Sequence, residues 1–180
     1  MKIDLEKITD ERGFFARYFC EEQFKAQGLT HRIVQINNSF NRKEGTLRGI
    51  HYQSHPMGED KIIRCLSGAI YDVVVDLRIG SPTFLKWIGE ELSADNRTML
   101  YVPKGFGHAF ITLADDTEVL YLVTEFYTPG CEYGIRWDDD RIGIDWPIPP
   151  QVFSEKDAAW PDFDAEVAAA RLYPYQERNQ

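Results

Sequence analysis

From Ile33 onward the chain is a succession of short runs rich in Val, Ile, Tyr and Phe, each closed by a turn signal, and that cadence leaves little choice of fold. The runs are IVQINNSF, KIIRCL, AIYDVVVDL, TMLYVP, AFITL and VLYLVTEFY. β-Branched and aromatic side chains suit a pleated surface, and the runs are of strand length, so each reads as a strand. Gly68, the Gly80-Ser81-Pro82 cluster, Pro103 with Gly105, and Pro129 with Gly130 supply the turns. The pattern predicts an all-β protein, a sandwich or jelly roll.

Two stretches depart from it. Glu21–Gln27, stopped by Gly28, and roughly Asp162–Leu172, Ala-rich with acidic residues early, predict short peripheral helices near the two ends. The 180 residues show no composition break, repeat or linker, so one domain over 1–180 is expected, with a disordered tail from about Pro174.

Charge and cysteine content narrow the function. Lys and Arg total 20 against 29 Asp and Glu, a net charge of -9, which disfavours a polyanion-binding surface and a nucleic-acid partner. A few cations focused in a cleft could still hold a pyrophosphate. Cys20, Cys65 and Cys131 are odd in number and lack paired spacing, which predicts neither a disulfide framework nor a zinc site and suits a reducing compartment. The segment MKIDLEKITDERG has no apolar signal core, and no run approaches the roughly 18 apolar residues of a membrane span. A soluble cytoplasmic protein without a membrane partner is expected.

Three separated motifs carry chemistry: LRGIHYQSHPMGEDK at Leu47–Lys61, PKGFGH at Pro103–His108 and SEKD at Ser154–Asp157. Together they hold a histidine, a lysine and an aspartate. Proton abstraction beside a carbonyl needs a base that titrates near neutrality and a cation where the enolate oxygen develops, and His51 and Lys61 meet those demands. A strand histidine is more often structural, but Lys61 opens the next apolar run, and a hairpin-like return would bring its ammonium to the imidazole. Epimerisation also needs a proton returned from the opposite face. Tyr121 and Tyr127 are candidates, and a six-residue separation puts both on one face of a regular strand.

A metal is the competing reading, since jelly rolls of the cupin kind often hold one with an HxH pair. Here that stretch is His51, Tyr52, Gln53, and His31, His51, His55 and His108 are the only histidines. No catalytic metal is expected.

The ordered series DERGFF, VQINNS, LRGIHYQ, KIIRC, YDVVVDLR, SPTF, LSADN, VPKGFGHAF, YGIRWDDDRIGIDWP and SEKD, spread over about the first 160 residues, resembles the dTDP-4-dehydrorhamnose 3,5-epimerase family. The resemblance implies a cupin-type jelly roll, a homodimer, and a nucleotide-linked 4-keto-6-deoxy sugar as substrate, with neither metal nor organic cofactor. It implies that His51 is the base, oriented by Asp157, that Lys61 stabilises the enolate and that Tyr121 returns the proton. Asp72 resembles a second carboxylate supporting the catalytic histidine and lysine. Arg12, Gln35, Asn37, Arg48, His108, Tyr127, Glu132 and Lys156 resemble substrate or nucleotide contacts.

Three departures stand out. Ala16-Arg17 follows DERGFF where the family usually has a glutamate two positions on, and Ala109 follows His108 where glycine is common. DERGFF also lies close to the first residue, so a shortened N-terminal strand and an altered dimer edge are expected. The leading expectation is the 3,5-epimerase of dTDP-L-rhamnose synthesis. The alternatives are an epimerase of one centre, C3 or C5, on a CDP- or GDP-linked sugar, a non-catalytic sugar-binding cupin, and a metal-dependent cupin.

Overall fold

A computed structural model describes residues 1–176. Two five-stranded antiparallel sheets face each other. One runs β1 (Lys2–Ile3), β9 (Met99–Val102), β6 (Lys61–Ser67), β11 (Thr117–Val123), β4 (Gln35–Asn41). The other runs β12 (Glu132–Gly134), β5 (Leu47–Gln53), β10 (Phe106–Thr112), β7 (Ala69–Asp76), β8 (Trp87–Ser93). A hairpin of β2 (Ile8–Asp10) and β3 (Gly13–Phe15) stands apart.

Alternation along the strands explains the layers. Ile63, Cys65, Ile70, Val74, Leu100, Phe110 and Val119 fill the space between the sheets. On β7 the intervening Val73 and Val75 point the other way, into a second core with Ile50, Tyr52, Ile135, Phe163, Ala168 and Leu172. The chain after β12 wraps over the back of that sheet. Both faces of β7 are therefore dry, which is why YDVVVDL reads as a continuous apolar run and not as a clean alternation. A third core, with Phe24, Leu29, Ile62, Met99 and Tyr101, seats helix α1 (Glu21–Ala26) on the back of the first sheet.

The predicted helices both form, the C-terminal one as α3 (Ala165–Ala169), capped by the Asp164 carboxylate accepting from the Glu166 and Val167 amides. The sequence reading missed α2 (Glu155–Ala158), one turn started by Ser154, whose Oγ accepts from the Asp157 amide at 3.0 Å. The tail expected to be disordered from about Pro174 is in part fixed: Pro174 bridges to Ile79, and the Tyr175 amide donates to Ile79 O at 2.8 Å. The rest of that expectation, from 177 on, lies outside the described residues. No helix among them is long and apolar enough to cross a membrane.

Candidate active site

His51 lies on β5 and Lys61 on β6, which belong to different sheets. The hairpin-like return expected from the sequence is thus replaced by a crossover, and the two side chains meet across the sandwich. They line one cavity of about 250 Å³ with Arg48, His108 and Phe110 from the same sheet as His51, Gln35, Asn37, Tyr121 and Val123 from the sheet of Lys61, and Glu59 and Tyr127 from loops.

A bulge in β5 makes this possible. His108 pairs with His51 while Phe110 pairs with Arg48, so two steps along β10 oppose three along β5. The extra residue turns Arg48 and His51, otherwise on opposite faces, toward the same space. Gly49 sits in the bulge at φ +117°, and a Cβ there would come within 2.6 Å of the Ala109 Cβ. Only glycine fits that backbone and that approach. Ala109, one of the departures noted above, is the group that fills the space behind it.

His51 Nε2 is hydrogen-bonded to Asp157 Oδ1. SEKD explains the second half of this dyad: Ser154 caps α2 and also donates from Oγ to Asp157 Oδ2 at 2.9 Å, so the short helix aims the carboxylate into the sandwich. Burial pushes the Asp157 carboxyl up, but the hydrogen bonds from His51 and Ser154 outweigh it and hold it below the usual carboxylate range. A buried carboxylate kept ionised against one ring nitrogen fixes the orientation and tautomer of the imidazole. The Trp160 ring stands edge-on to His51 at 6.4 Å between centroids.

Asp72 does not do what the sequence reading expected. It bonds His108 Nε2 at 2.8 Å and not His51. The register explains this: Asp72 on β7 lies opposite Phe110 on β10, beside His108 and one strand further from β5 than the expectation required. Asp72 is fully buried, its Oδ2 has no hydrogen-bond partner, and burial pushes its carboxyl up against the opposing pull of His108 and of the Lys61 charge. Of the expected support, only the electrostatic reach to Lys61 is present.

Tyr121 projects from β11 between Val119 and Val123 on the inner face, its hydroxyl 2.7 Å from Ser39 Oγ. Burial pushes the phenol up, while the Ser39 hydrogen bond and the Arg48 charge pull it back. Tyr127 does not share its strand, because β11 ends at Val123. A loop brings Tyr127 to the cavity instead, its amide donating to Gln35 Oε1 at 2.7 Å. At the rim, Tyr127 Oη donates to Glu132 Oε2 at 3.2 Å, and Lys156 pairs with the same carboxylate while covering the Trp160 ring. Glu132 and Lys156 thus engage each other beside the cavity and are not among its lining residues.

Arg12 is not brought to the cavity. It sits at the tip of the β2–β3 hairpin, 84% exposed and paired with Asp10. Conversely, the sequence reading missed Glu59, whose carboxylate lies 3.2 Å from Lys61 Nζ, and also Phe110, Val123, Ser39 and Trp160. Phe110, Val123 and Ser39 stand two residues from His108, Tyr121 and Asn37, so strand periodicity alone could have found them. Gln53, in the place of a second metal-binding imidazole, clips two loops: its amide donates to Met57 O and accepts from the Thr128 amide. Among the described residues no three His, Cys, Asp or Glu side chains converge as a metal site would require.

Residues 1–165 match the family model described as dTDP-4-dehydrorhamnose 3,5-epimerase. The chain belongs to that family. A protein of this name from Sinorhizobium fredii is 44% identical over 156 residues, covering 86% of this chain and 80% of its own. A crystal structure of the Bacillus anthracis protein of the same name, with TDP and PPi bound, shares 42% identity at a TM-score of 0.87, over 90% of this chain and 93% of that one. The dTDP-6-deoxy-D-glucose-3,5-epimerase of Legionella pneumophila, in complex with dTDP-4-keto-L-rhamnose, shares 40% identity at a TM-score of 0.88, over 98% of this chain and 93% of its own. The sandwich described above is accordingly the cupin-type jelly roll of these nucleotide-sugar epimerases.

Proposed function

We propose that the protein inverts C3 and C5 of dTDP-4-dehydro-6-deoxyglucose, the step that gives the L-configured 4-keto sugar of dTDP-L-rhamnose synthesis. One observation carries the reading: His51, paired with Asp157, and the half-buried phenol of Tyr121 line the same cavity from opposing sheets. Chemistry that takes a proton from one face of a ring carbon and returns one to the other needs that placement.

In this reading His51 removes the hydrogen beside the C4 ketone, and the C–H pair moves into a C=C bond as the carbonyl becomes an enolate. Lys61 offsets the charge on the C4 oxygen. Tyr121 then protonates the carbon from the other side and the carbonyl re-forms. Asp157 keeps the His51 ring oriented and stabilises its charged form. His108, fixed by Asp72, contacts the sugar. Gln35, Asn37, Arg48, Tyr127, Glu132 and Lys156 surround the nucleotide and sugar, with Arg48 suited to phosphate oxygens. Each step is redox-neutral and the side chains supply both proton donor and acceptor, so the reading needs no metal or cofactor. Three free cysteines suit a cytoplasmic setting.

Arg12 contacts the substrate only if it comes from a second protomer. We therefore include a homodimer in the proposal. Its support is the reversed pattern of the edge strand β4, where Gln35, Asn37, Ser39 and Asn41 face inward and Ile36 and Phe40 lie outside, 63% and 54% exposed. The hairpin adds exposed Ile8, Phe14 and Phe15. Apolar surface of that extent on a charged chain marks an interaction site.

The test is turnover of the dTDP-linked 4-keto-6-deoxyglucose followed by NMR of the product ring, with dTDP, CDP and GDP as competitors. Inversion at both centres and preference for dTDP are expected. Inversion at one centre, or preference for CDP or GDP, would replace the reading with the narrower epimerase.

A further inference from the structure

Behind the Tyr121 phenol runs a line of hydrogen bonds whose direction is fixed from Arg48 as far as Ser39. It starts on β5, where Arg48 Nε donates to Asn41 Oδ1 at 2.8 Å. A guanidinium accepts nothing, so the Asn41 atom facing it must be the oxygen. The other end of the amide agrees independently: Nδ2 faces the Thr117 carbonyl, which can only accept, at 3.2 Å. The same Nδ2 donates to Ser39 Oγ at 3.4 Å. With a hydrogen arriving from Asn41, the hydroxyl hydrogen of Ser39 is free for its remaining neighbour, Tyr121 Oη at 2.7 Å. With Tyr121 as the acceptor in that bond, its own O–H is left for the cavity it lines. Reversal of the line would turn the tyrosine hydrogen toward Ser39 and leave the cavity without a donor at this point.

The sequence builds this cheaply. Ser39 and Asn41 continue the inward face begun by Gln35 and Asn37, and the pairings Val119↔Ser39 and Thr117↔Asn41 bring them alongside β11. Asn41 is 2% exposed and uses both ends of its amide, as a buried amide must. Neither Ser39 nor Asn41 lines the cavity.

We propose that Ser39 and Asn41 are positioning residues that present Tyr121 as a proton donor and then hold the phenolate it becomes, with Arg48 setting the direction of the line from the opposite sheet. The inference rests on the reading of Tyr121 as the acid. When the Tyr121 O–H bond breaks, the proton goes to the enolate carbon, whose C=C pair forms the new C–H bond as the C4 carbonyl returns, and the phenolate keeps the O–H pair. Ser39 then donates to an anion, and such a bond is stronger than one to a neutral phenol. The bond therefore favours the state after proton transfer over the state before it. The downward pull of Ser39 and Arg48 on the phenol agrees with this.

The test separates base from acid. In D2O the His51 half alone exchanges the hydrogen beside the ketone without inversion, whereas inversion also needs Tyr121. Exchange in recovered substrate and inversion in product are measured by NMR for wild type, Ser39→Ala, Ser39→Thr, Asn41→Asp and Tyr121→Phe, with dTDP-4-keto-6-deoxyglucose. Ser39→Ala is expected to slow inversion roughly ten- to a hundred-fold, the usual worth of one hydrogen bond to an ionised group, at unchanged KM and with exchange continuing. Asn41→Asp, which removes the donor at nearly constant shape, should raise the exchange-to-inversion ratio in the same way, and Ser39→Thr should restore it. Equal loss of exchange and inversion in Ser39→Ala would overturn the proposal, because the damage would then be general. Wild-type inversion in Ser39→Ala beside loss in Tyr121→Phe would overturn the positioning role alone. Wild-type inversion in Tyr121→Phe would remove the acid reading and this inference with it.

Discussion

At the scale of single residues, the site separates two histidine–aspartate pairs that look interchangeable in the sequence. His51 with Asp157 lies at the cavity wall, its carboxylate held ionised by the ring and by Ser154. His108 with Asp72 lies deeper, its carboxyl fully buried and pushed toward the neutral form. Only the first pair has a carboxylate kept ionised against its ring, and this is why we assign the proposed base role to His51. The variant His51→Asn should fold normally by circular dichroism and lose roughly 10²–10⁴-fold in kcat, the range for a general base. A variant with near-wild-type kcat would remove His51 from the proton path.

At the scale of elements, the β5 bulge decides whether the site exists, since it puts Arg48 and His51 on one face opposite His108 and Phe110. Gly49→Ala combines a positive φ with a Cβ against Ala109, so we expect a loss of about 2–4 kcal/mol in denaturant unfolding, with a lower kcat in whatever remains folded. Unchanged stability would mean that the bulge can relax without cost. Most strands were legible because β-branched runs between turn residues have few other readings, and the meeting of His51, Lys61 and Tyr121 in one cavity was legible through the ordered motifs that carry the family resemblance. The bulge was not, because LRGIHYQ reads as an unbroken strand until its partner is known. The partner of Asp72 was not legible either, since a side chain's cross-strand neighbour depends on sheet order, which local sequence does not carry. The one-turn helix at SEKD is too short to give a periodic signal.

At the scale of the whole molecule, the apolar outer face of β4 and the exposed hairpin that carries Arg12 are among the features one chain leaves uncovered. The homodimer reading predicts that Phe40→Glu lowers the mass measured by light scattering from dimer to monomer and raises KM for the nucleotide sugar. A wild-type protein that is monomeric at assay concentration would set the dimer aside and leave Arg12 without a role. The sandwich itself accounts for the chemistry proposed. Its two sheets together line a cavity of about 250 Å³, and in the proposed mechanism each supplies one end of the proton transfer.

The most direct measurement is solvent deuterium incorporation during turnover of dTDP-4-keto-6-deoxyglucose in D2O, read by NMR at C3 and C5 of the product. Proton transfer by His51 and Tyr121 predicts one deuterium at each centre of an L-configured product, and neither label nor inversion in His51→Asn. Inversion without solvent label at either carbon would contradict the account.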